Sequence, residues 1–536
     1  MRTTWILAVV AVAAAGCNSL LGNGDFAGAP RLDSLVVTGG VLVPAFTPDQ
    51  TDYSVDVGGA ISRERIVASA AGHAIQIDGT DLASGAFSAP IALDVNTTTD
   101  VHVAVAGGLT YTLHVHRGPS LAPQHLFKPL GSEGVMDSIS TPNASFLYGD
   151  GVGFDVASDG DTLVLGAPGT DDGAADDTTQ NCGAVYVYRR SGATWAFDAV
   201  LRAPAPAVDD QLGISVAVSG DTIVAGTNLH AAAYVWERAG GSWQPPQRLT
   251  VTPPDAVSFG AQVAIDHDLI VVGAPYESGG GSGINPAHDP PMMNSGAAYV
   301  FRRTPGSGWQ PAAYLKASTP GVDDLFGIAV AVQDGTVVVG GPQEDSGVQN
   351  TPGDDSLTDA GALYVFTASG ETFVGPTYVK AAQPVNSDGL GFSVAIDGDL
   401  LVAGSQTYQA RNGRVLAFRH QGDAWTQIQE FNGIPASNFG ASVGVVSDTI
   451  VVGAPNVSNC DGRAFVYVPN ATGWDARIEL ADRFGCELFG TSVALGRDGL
   501  VVSGAYEDAR NNRGILDPSD SSADANNGSG LAFTAR

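Results

Sequence analysis

"FGAQVAIDHDLIVVGAPYE", Phe259 to Glu277, decides how the rest of the chain is read, because its parts recur. An alternating run through Val263 and Ile265 meets a polar break at His267–Asp268, and a continuous apolar run, Leu269–Val272, then ends in Gly-Ala-Pro. Alternation places one strand half in the core, and the apolar run fits a fully buried partner. A tight turn of Asp and Gly type joins such strands into a hairpin.

Aligned on this stretch, seven copies appear, beginning at Gly153, Gly213, Gly260, Gly327, Gly391, Gly440 and Gly490. Self-similarity at a period of roughly 50 to 65 residues marks a repeat architecture. Beyond the hairpin, each copy has a loop of variable length and a third run, as in "GAVYVYRR" (Gly183), "GAAYVFRR" (Gly296), "GALYVFTA" (Gly361) and "GLAFTAR" (Gly530). A fourth run then opens on Trp195, Trp243, Trp309, Phe373, Trp425 or Trp474. Four antiparallel strands per repeat make a propeller blade. The expected fold is therefore all-β, a seven-bladed β-propeller over residues 120–536, preceded by a small β-sandwich over 31–118.

The last copy stops after its third run, at Arg536. Ahead of the first copy, "QHLFKPLGSEG" (Gln124–Gly134) matches the fourth runs "AAYLKASTPG" and "PTYVKAAQPV". The segment around Leu126–Pro129 is thus predicted to complete the last blade, leaving no open sheet edge.

Composition narrows the function. The chain has 536 residues, 44% hydrophobic and only 15% charged, with a formal charge of −31. That field repels phosphate backbones and anionic lipid headgroups, so no nucleic-acid partner is expected. At the N-terminus, "MRTTWILAVVAVAAAGC" has one cation, Arg2, and an apolar stretch too short to span a bilayer, with small residues before Cys17. It resembles a bacterial lipobox. That resemblance implies a signal peptide over residues 1–17, lipid on Cys17 and membrane attachment through acyl chains alone, at the outer membrane or cell surface. Residues 18–30, small and polar, read as a flexible tether.

Alternation at Tyr53, Val55 and Val57, and again at Tyr111, Leu113 and Val115, builds the sandwich. The pattern Leu35, Gly39-Gly40, Leu42, Pro44, Phe46, Pro48 and Tyr53 also resembles the bacterial cadherin-like β-sandwich domain, usually an accessory module. In the repeats, Phe-Gly starts (Phe259-Gly260, Phe326-Gly327, Phe439-Gly440, Phe489-Gly490) combine with Gly-Ala-Pro endings (166–168, 273–275, 453–455). Together they resemble the FG-GAP repeat of integrin α subunits and of many bacterial surface proteins.

That family carries calcium between the first and second strands. Here the turn has shrunk to "SDGDT", "DHDL" or "QDGT", too short to wrap an ion with six or more oxygens. Acidity concentrates instead between the second and third strands: Asp171, Asp172, Asp176 and Asp177; Glu344, Asp345, Asp354, Asp355 and Asp359; Asp508, Asp517, Asp520 and Asp524. Such carboxylate clusters either bind calcium or are simply solvated loops. By strand parity these loops share a face with the segments linking successive repeats, and that face carries Tyr276 and Glu277, the expected ligand contacts. Cys460 and Cys486 fall there too, and a disulfide between them is one pairing, with Cys182 left over.

Catalytic signals are sparse. "GASVG" (Gly440–Gly444) has the letters of a nucleophile elbow, yet Ser442 stands where Ser215, Ser393 and Ser492 stand in sister repeats, on a strand. The nine His residues show no zinc spacing. The expected function is a non-enzymatic, envelope-tethered scaffold for binding or adhesion to a protein or glycan ligand. The alternatives are a polysaccharide hydrolase or lyase acting on the ring axis, and a purely structural envelope component.

Overall fold

The computed structural model describes residues 29–37, 42–57, 63–94, 97–117, 126–127, 151–171, 181–191, 194–228, 231–251, 257–288, 290–349, 351–422, 424–457, 462–470, 473–480, 488–496, 499–504 and 515–516. The chain divides into two compact units, Met1–Ser120 and Leu121–Arg536. Among the described residues, no helix is long and apolar enough to cross a membrane.

In the first unit a six-stranded sheet is built around Asp52–Val57, Thr110–Arg117 and Thr98–Val105. Asp52–Val57 and Thr110–Arg117 run parallel, and the other pairs of this sheet are antiparallel. Alternation works as expected, since Tyr53, Val55, Tyr111 and Leu113 are all buried. Each tyrosine keeps its hydroxyl satisfied: Tyr111 donates to Pro48 O at 2.7 Å and Tyr53 to Thr47 O at 2.9 Å.

The second unit repeats one sheet. In the third copy, Gln262–Asp266, Leu269–Ala274, Ala297–Thr304 and Gly308–Leu315 pair antiparallel in sequence order. The first, fourth, fifth and sixth copies follow the same plan, and in the second the outer strand is split into Ser242–Trp243 and Gln247–Leu249. In the last copy Phe489–Gly496 pairs with Gly499–Gly504. Each first strand lies beside the first strand of the next copy, and Phe489–Gly496 lies beside Val156–Asp159, so the array returns on itself as a β-propeller. In the third, fifth and sixth copies the second strand is the dry centre of the blade, with all six residues of Leu269–Ala274, Leu400–Ser405 and Thr449–Ala454 buried.

Glycine sets the spacing between blades. Gly260 N–H donates to Gly273 O in its own repeat, and the same bond recurs from Gly327 to Gly340 and from Gly440 to Gly453. Gly273 in turn packs on Gly327 of the following repeat, so closely that a methyl group there would lie inside the shell of Gly327 O. Gly327 also sits at φ +96°, open to glycine but strained for other residues. Gly273→Ala is therefore expected to lower stability by about 3 kcal/mol or more, because backbone and not a flexible side chain would have to move; a urea midpoint equal to wild type would contradict this.

Leu126–Phe127 pairs antiparallel with Ile515–Leu516. The expected strand at Leu126 is thus present, but its partner lies in a segment read from sequence as an acidic loop. "GLAFTAR", the expected third strand, lies outside the described residues.

Candidate functional site

The loops between second and third strands leave one end of the propeller, together with the segments linking repeats. Among the described residues, three buried ion pairs stitch this end. Glu277, two residues past Gly-Ala-Pro, meets Lys316 from the end of the fourth strand, with Nζ donating to Oε2 at 2.8 Å. The ammonium also donates to Ser295 Oγ at 2.8 Å and Gly296 O at 2.5 Å, which uses all three of its protons. Glu277 Oε1 accepts from Gly279 N–H at 2.7 Å and Tyr314 OH at 3.1 Å, and His288 Nε2 lies 2.6 Å away. Burial pulls the Lys316 ammonium below its ordinary range, and Glu277 opposes that shift. Burial and the Glu277 charge together push the Tyr314 hydroxyl up.

The next repeat copies the arrangement: Lys380 pairs with Glu344, whose Oε1 accepts from Tyr378 OH at 2.9 Å. In the fifth repeat the chemistry is exchanged. Asp388 from the linking segment holds Arg414 from the third strand, with Nε donating to Oδ1 at 2.9 Å, and the guanidinium lies over the Tyr408 ring.

Glu277 therefore corrects the sequence reading. Expected as a surface contact, it is 1% exposed, whereas its neighbour Tyr276 is 45% exposed. The signal was present in the sequence: Glu two residues past the Gly-Ala-Pro position and Tyr-x-Lys in the fourth strand occur together in the third and fourth repeats.

The described acidic-loop residues do not converge on an ion. Asp345 Oδ1 accepts from Asp359 N–H at 2.8 Å, Asp354 Oδ2 from Gly347 N–H at 3.2 Å, and Asp171 Oδ1 from Asn181 N–H at 2.8 Å. Asp355 is exposed. These carboxylates fasten their own loops, and among the described residues no three of His, Cys, Asp or Glu are grouped to hold a metal ion. The expected calcium ligands Asp345, Asp354, Asp355 and Asp359 are thus not gathered into such a group, although Asp345 and Asp359 are neighbours. Cys17, Asp172, Asp176, Asp177, Cys460, Cys486, Asp508, Asp517, Asp520 and Asp524 lie outside the described residues. Cys182 is buried, its thiol donating to Thr170 O at 3.4 Å.

At the opposite end, where first strands turn into second strands, a cavity of about 880 Å³ opens on the axis. Its rim takes the last residue of successive first strands: Asp159, Ser219, Asp266, Gln333 and Asp397. Each of these side chains accepts a backbone N–H of the following repeat. Gly220 donates to Asp159 at 2.7 Å, His267 to Ser219 at 3.1 Å, Asp334 to Asp266 at 2.7 Å, Gly398 to Gln333 at 2.6 Å and Ser447 to Asp397 at 2.6 Å. The hairpin residues Asp161, Asp221 and Asp399 pair instead with Arg190, Arg189 and Arg419 of third strands.

Where the first strands begin, a second set of side chains joins neighbouring blades. Ser492 Oγ donates to Asp155 Oδ1 at 2.7 Å and accepts from Val156 N–H at 3.2 Å, which bonds the last repeat to the first. Asp155 Oδ2 accepts from Val216 N–H at 2.8 Å. Ser442 donates to Gly490 O at 3.0 Å, so the serine of "GASVG" is a blade-to-blade fastener on a strand, as its sister positions implied.

Comparison with known proteins agrees with these two units. A cadherin-like β-sandwich domain matches residues 32–118. The FG-GAP repeat matches residues 147–188 and 250–301, the second of which contains the stretch from Phe259 to Glu277. No curated protein matches the chain. Among solved structures, the Cps50 (Swd1) β-propeller domain of Myceliophteria thermophila is 10% identical, with a TM-score of 0.40, covering 67% of this chain and 94% of that one. The periplasmic gluconolactonase PpgL of Pseudomonas aeruginosa is 13% identical, with a TM-score of 0.39 and coverage of 67% and 96%. Kuenenia stuttgartiensis hydrazine synthase is 12% identical, with a TM-score of 0.41 and coverage of 71% and 99%.

Proposed function

We propose that this protein is a binding scaffold of the bacterial envelope, a seven-bladed FG-GAP propeller tethered through lipid on Cys17, which recognises a protein or glycan ligand on one face. Closure of the ring by Leu126–Phe127 and by the Ser492–Asp155 bond belongs to the same reading. The observation that carries it is where apolar side chains reach solvent. Val208, Val257, Val322 and Val385 do so from segments entering a repeat, and Tyr276, Met293 and Val348 from loops between second and third strands. All seven belong to one end of the propeller. Among the described residues of this unit, the other exposed large apolar ones, Val374 and Ile428, lie on outer strands, and the described hairpins at the opposite end carry none. Apolar side chains gathered on a loop face mark an interaction surface.

A triple variant, Tyr276→Ser with Met293→Ser and Val348→Ser, tests this reading. Capture of envelope proteins or arrayed glycans by the full chain is expected to fall about tenfold or more, with the melting temperature nearly unchanged, since exposed truncations cost little stability but interface anchors dominate affinity. Undiminished capture by the variant would refute the face. A second reading, polysaccharide cleavage at the axis, draws on the cavity with its rim carboxylates Asp159, Asp266 and Asp397. Soluble turnover of a glycan, lost in Asp266→Asn, would favour it.

A further inference from the structure

The loop face differs from the rest of the surface in where its cations are. Lys316 and Lys380 are both wholly buried in their ion pairs, and half-buried His288 is directed at Glu277. The third and fourth repeats therefore present no described cation outward on this face. Carboxylates do reach solvent there: Asp323 beside Val322, Asp355 in the loop after Val348, and Asp345 at the base of that loop. Asp323 and Asp345 have neutral hydrogen-bond partners, with Asn294 Nδ2 donating to Asp323 at 2.7 Å and Asp359 N–H donating to Asp345 at 2.8 Å. Burial first, and then the Asp345 charge, holds the Asp359 carboxyl above its usual range, as expected where no nearby cation offsets the negative field.

From this interleaving of exposed apolar side chains with uncompensated carboxylates we infer that the loop face of the third and fourth repeats docks a basic, amphipathic polypeptide segment. The inference rests on the loop-face reading above and names its partner class. Tyr276, Met293 and Val348 supply the apolar contact, and Asp323, Asp345 and Asp355 select for Lys or Arg beside it. A rigid platform suits such a segment, because the buried ion pairs fix the loop bases and leave the ordering cost to the incoming chain. A neutral glycan would leave the carboxylate field unused, and an acidic protein would be repelled by it.

The test uses the full chain and fluorescent peptides read by anisotropy: Leu/Lys, Leu/Glu and Ser/Lys peptides of equal length, with a chitosan oligosaccharide as cationic glycan. The Leu/Lys peptide is expected to bind most tightly and to weaken with salt. The face variant Asp323→Asn with Asp345→Asn and Asp355→Asn should weaken it roughly tenfold. A control with the same charge change on the opposite hairpins, Asp161→Asn with Asp221→Asn and Asp399→Asn, should weaken it less than about threefold, because those sites are remote and screened.

Equal losses in the two variants would overturn the inference, since binding would then follow net charge alone. So would equal affinity for Leu/Glu, or tighter binding of the chitosan oligosaccharide. Should the apolar triple variant lose capture while the captured ligands prove neutral or acidic, the partner class fails and the loop face stands. Should no ligand use the face at all, both fail.

Discussion

Replacing Lys316 with methionine is expected to lower the unfolding free energy by about 3–5 kcal/mol at neutral pH, the cost of leaving one member of a buried ion pair alone. The side chain is wholly enclosed, and its loss strands Glu277, which is 1% exposed and is left with Gly279 N–H, Tyr314 OH and His288. Ser295 Oγ and Gly296 O lose their donor at the same time. Methionine fills most of the volume, so the loss is electrostatic and not a cavity effect. Changing Glu277 to leucine in the same chain should recover a large part of the deficit, because a pair removed whole leaves no unmatched charge. Chemical denaturation of the two single variants and the double variant measures the coupling. A Lys316→Met protein with the wild-type midpoint would show that the pair adds nothing.

Asp324→Asn is expected to stabilise the propeller at pH 8 and to do almost nothing at pH 4. Burial pushes the Asp324 carboxyl up to about 7; the Gly321 N–H opposes this, and Glu344, Asp345 and Asp355 add to it. Its ordinary value is 3.8. Between these values the folded protein keeps a proton that the unfolded chain has released. The stability from this group is therefore complete below about pH 4 and is lost as pH rises toward 7, at about 1.4 kcal/mol per pH unit. Over the whole window the loss is about 4 kcal/mol. Asparagine can still accept the Gly321 bond while holding no charge, so the variant escapes that loss. Urea midpoints for both proteins from pH 4 to 8 should diverge steadily, and parallel curves would refute the assignment.

How much of this was legible in the sequence depends on the range of the interaction. Val263–Val272 could be read as a hairpin from period and turn chemistry because both are local, and Ser442 could be placed on a strand by comparison with Ser215, Ser393 and Ser492. The Phe-Gly and Gly-Ala-Pro glycines were visible as punctuation. Their contact across repeats was not, because it depends on how one blade stacks on the next. Glu277 reads as exposed from sequence for a related reason. Its neighbour Tyr276 faces solvent while Glu277 turns inward to Lys316, 39 positions along the chain, and only the loop's path decides which of the two points out. The rim residues Asp159, Ser219, Asp266, Gln333 and Asp397 share a repeat position, but their chemistry differs. What they have in common is an oxygen acceptor for the next repeat's backbone, a property that letter matching does not register.

The sequence holds three lysines, Lys128, Lys316 and Lys380, and the two that the structure describes are sealed in the interior. For amine-directed chemistry the folded propeller is thus nearly inert at those positions. Biotin esters, glutaraldehyde and immobilisation resins that seek ε-amines find Lys316 and Lys380 only when a blade opens, so their labelling rate follows the opening of the third and fourth blades and not the accessibility of the surface.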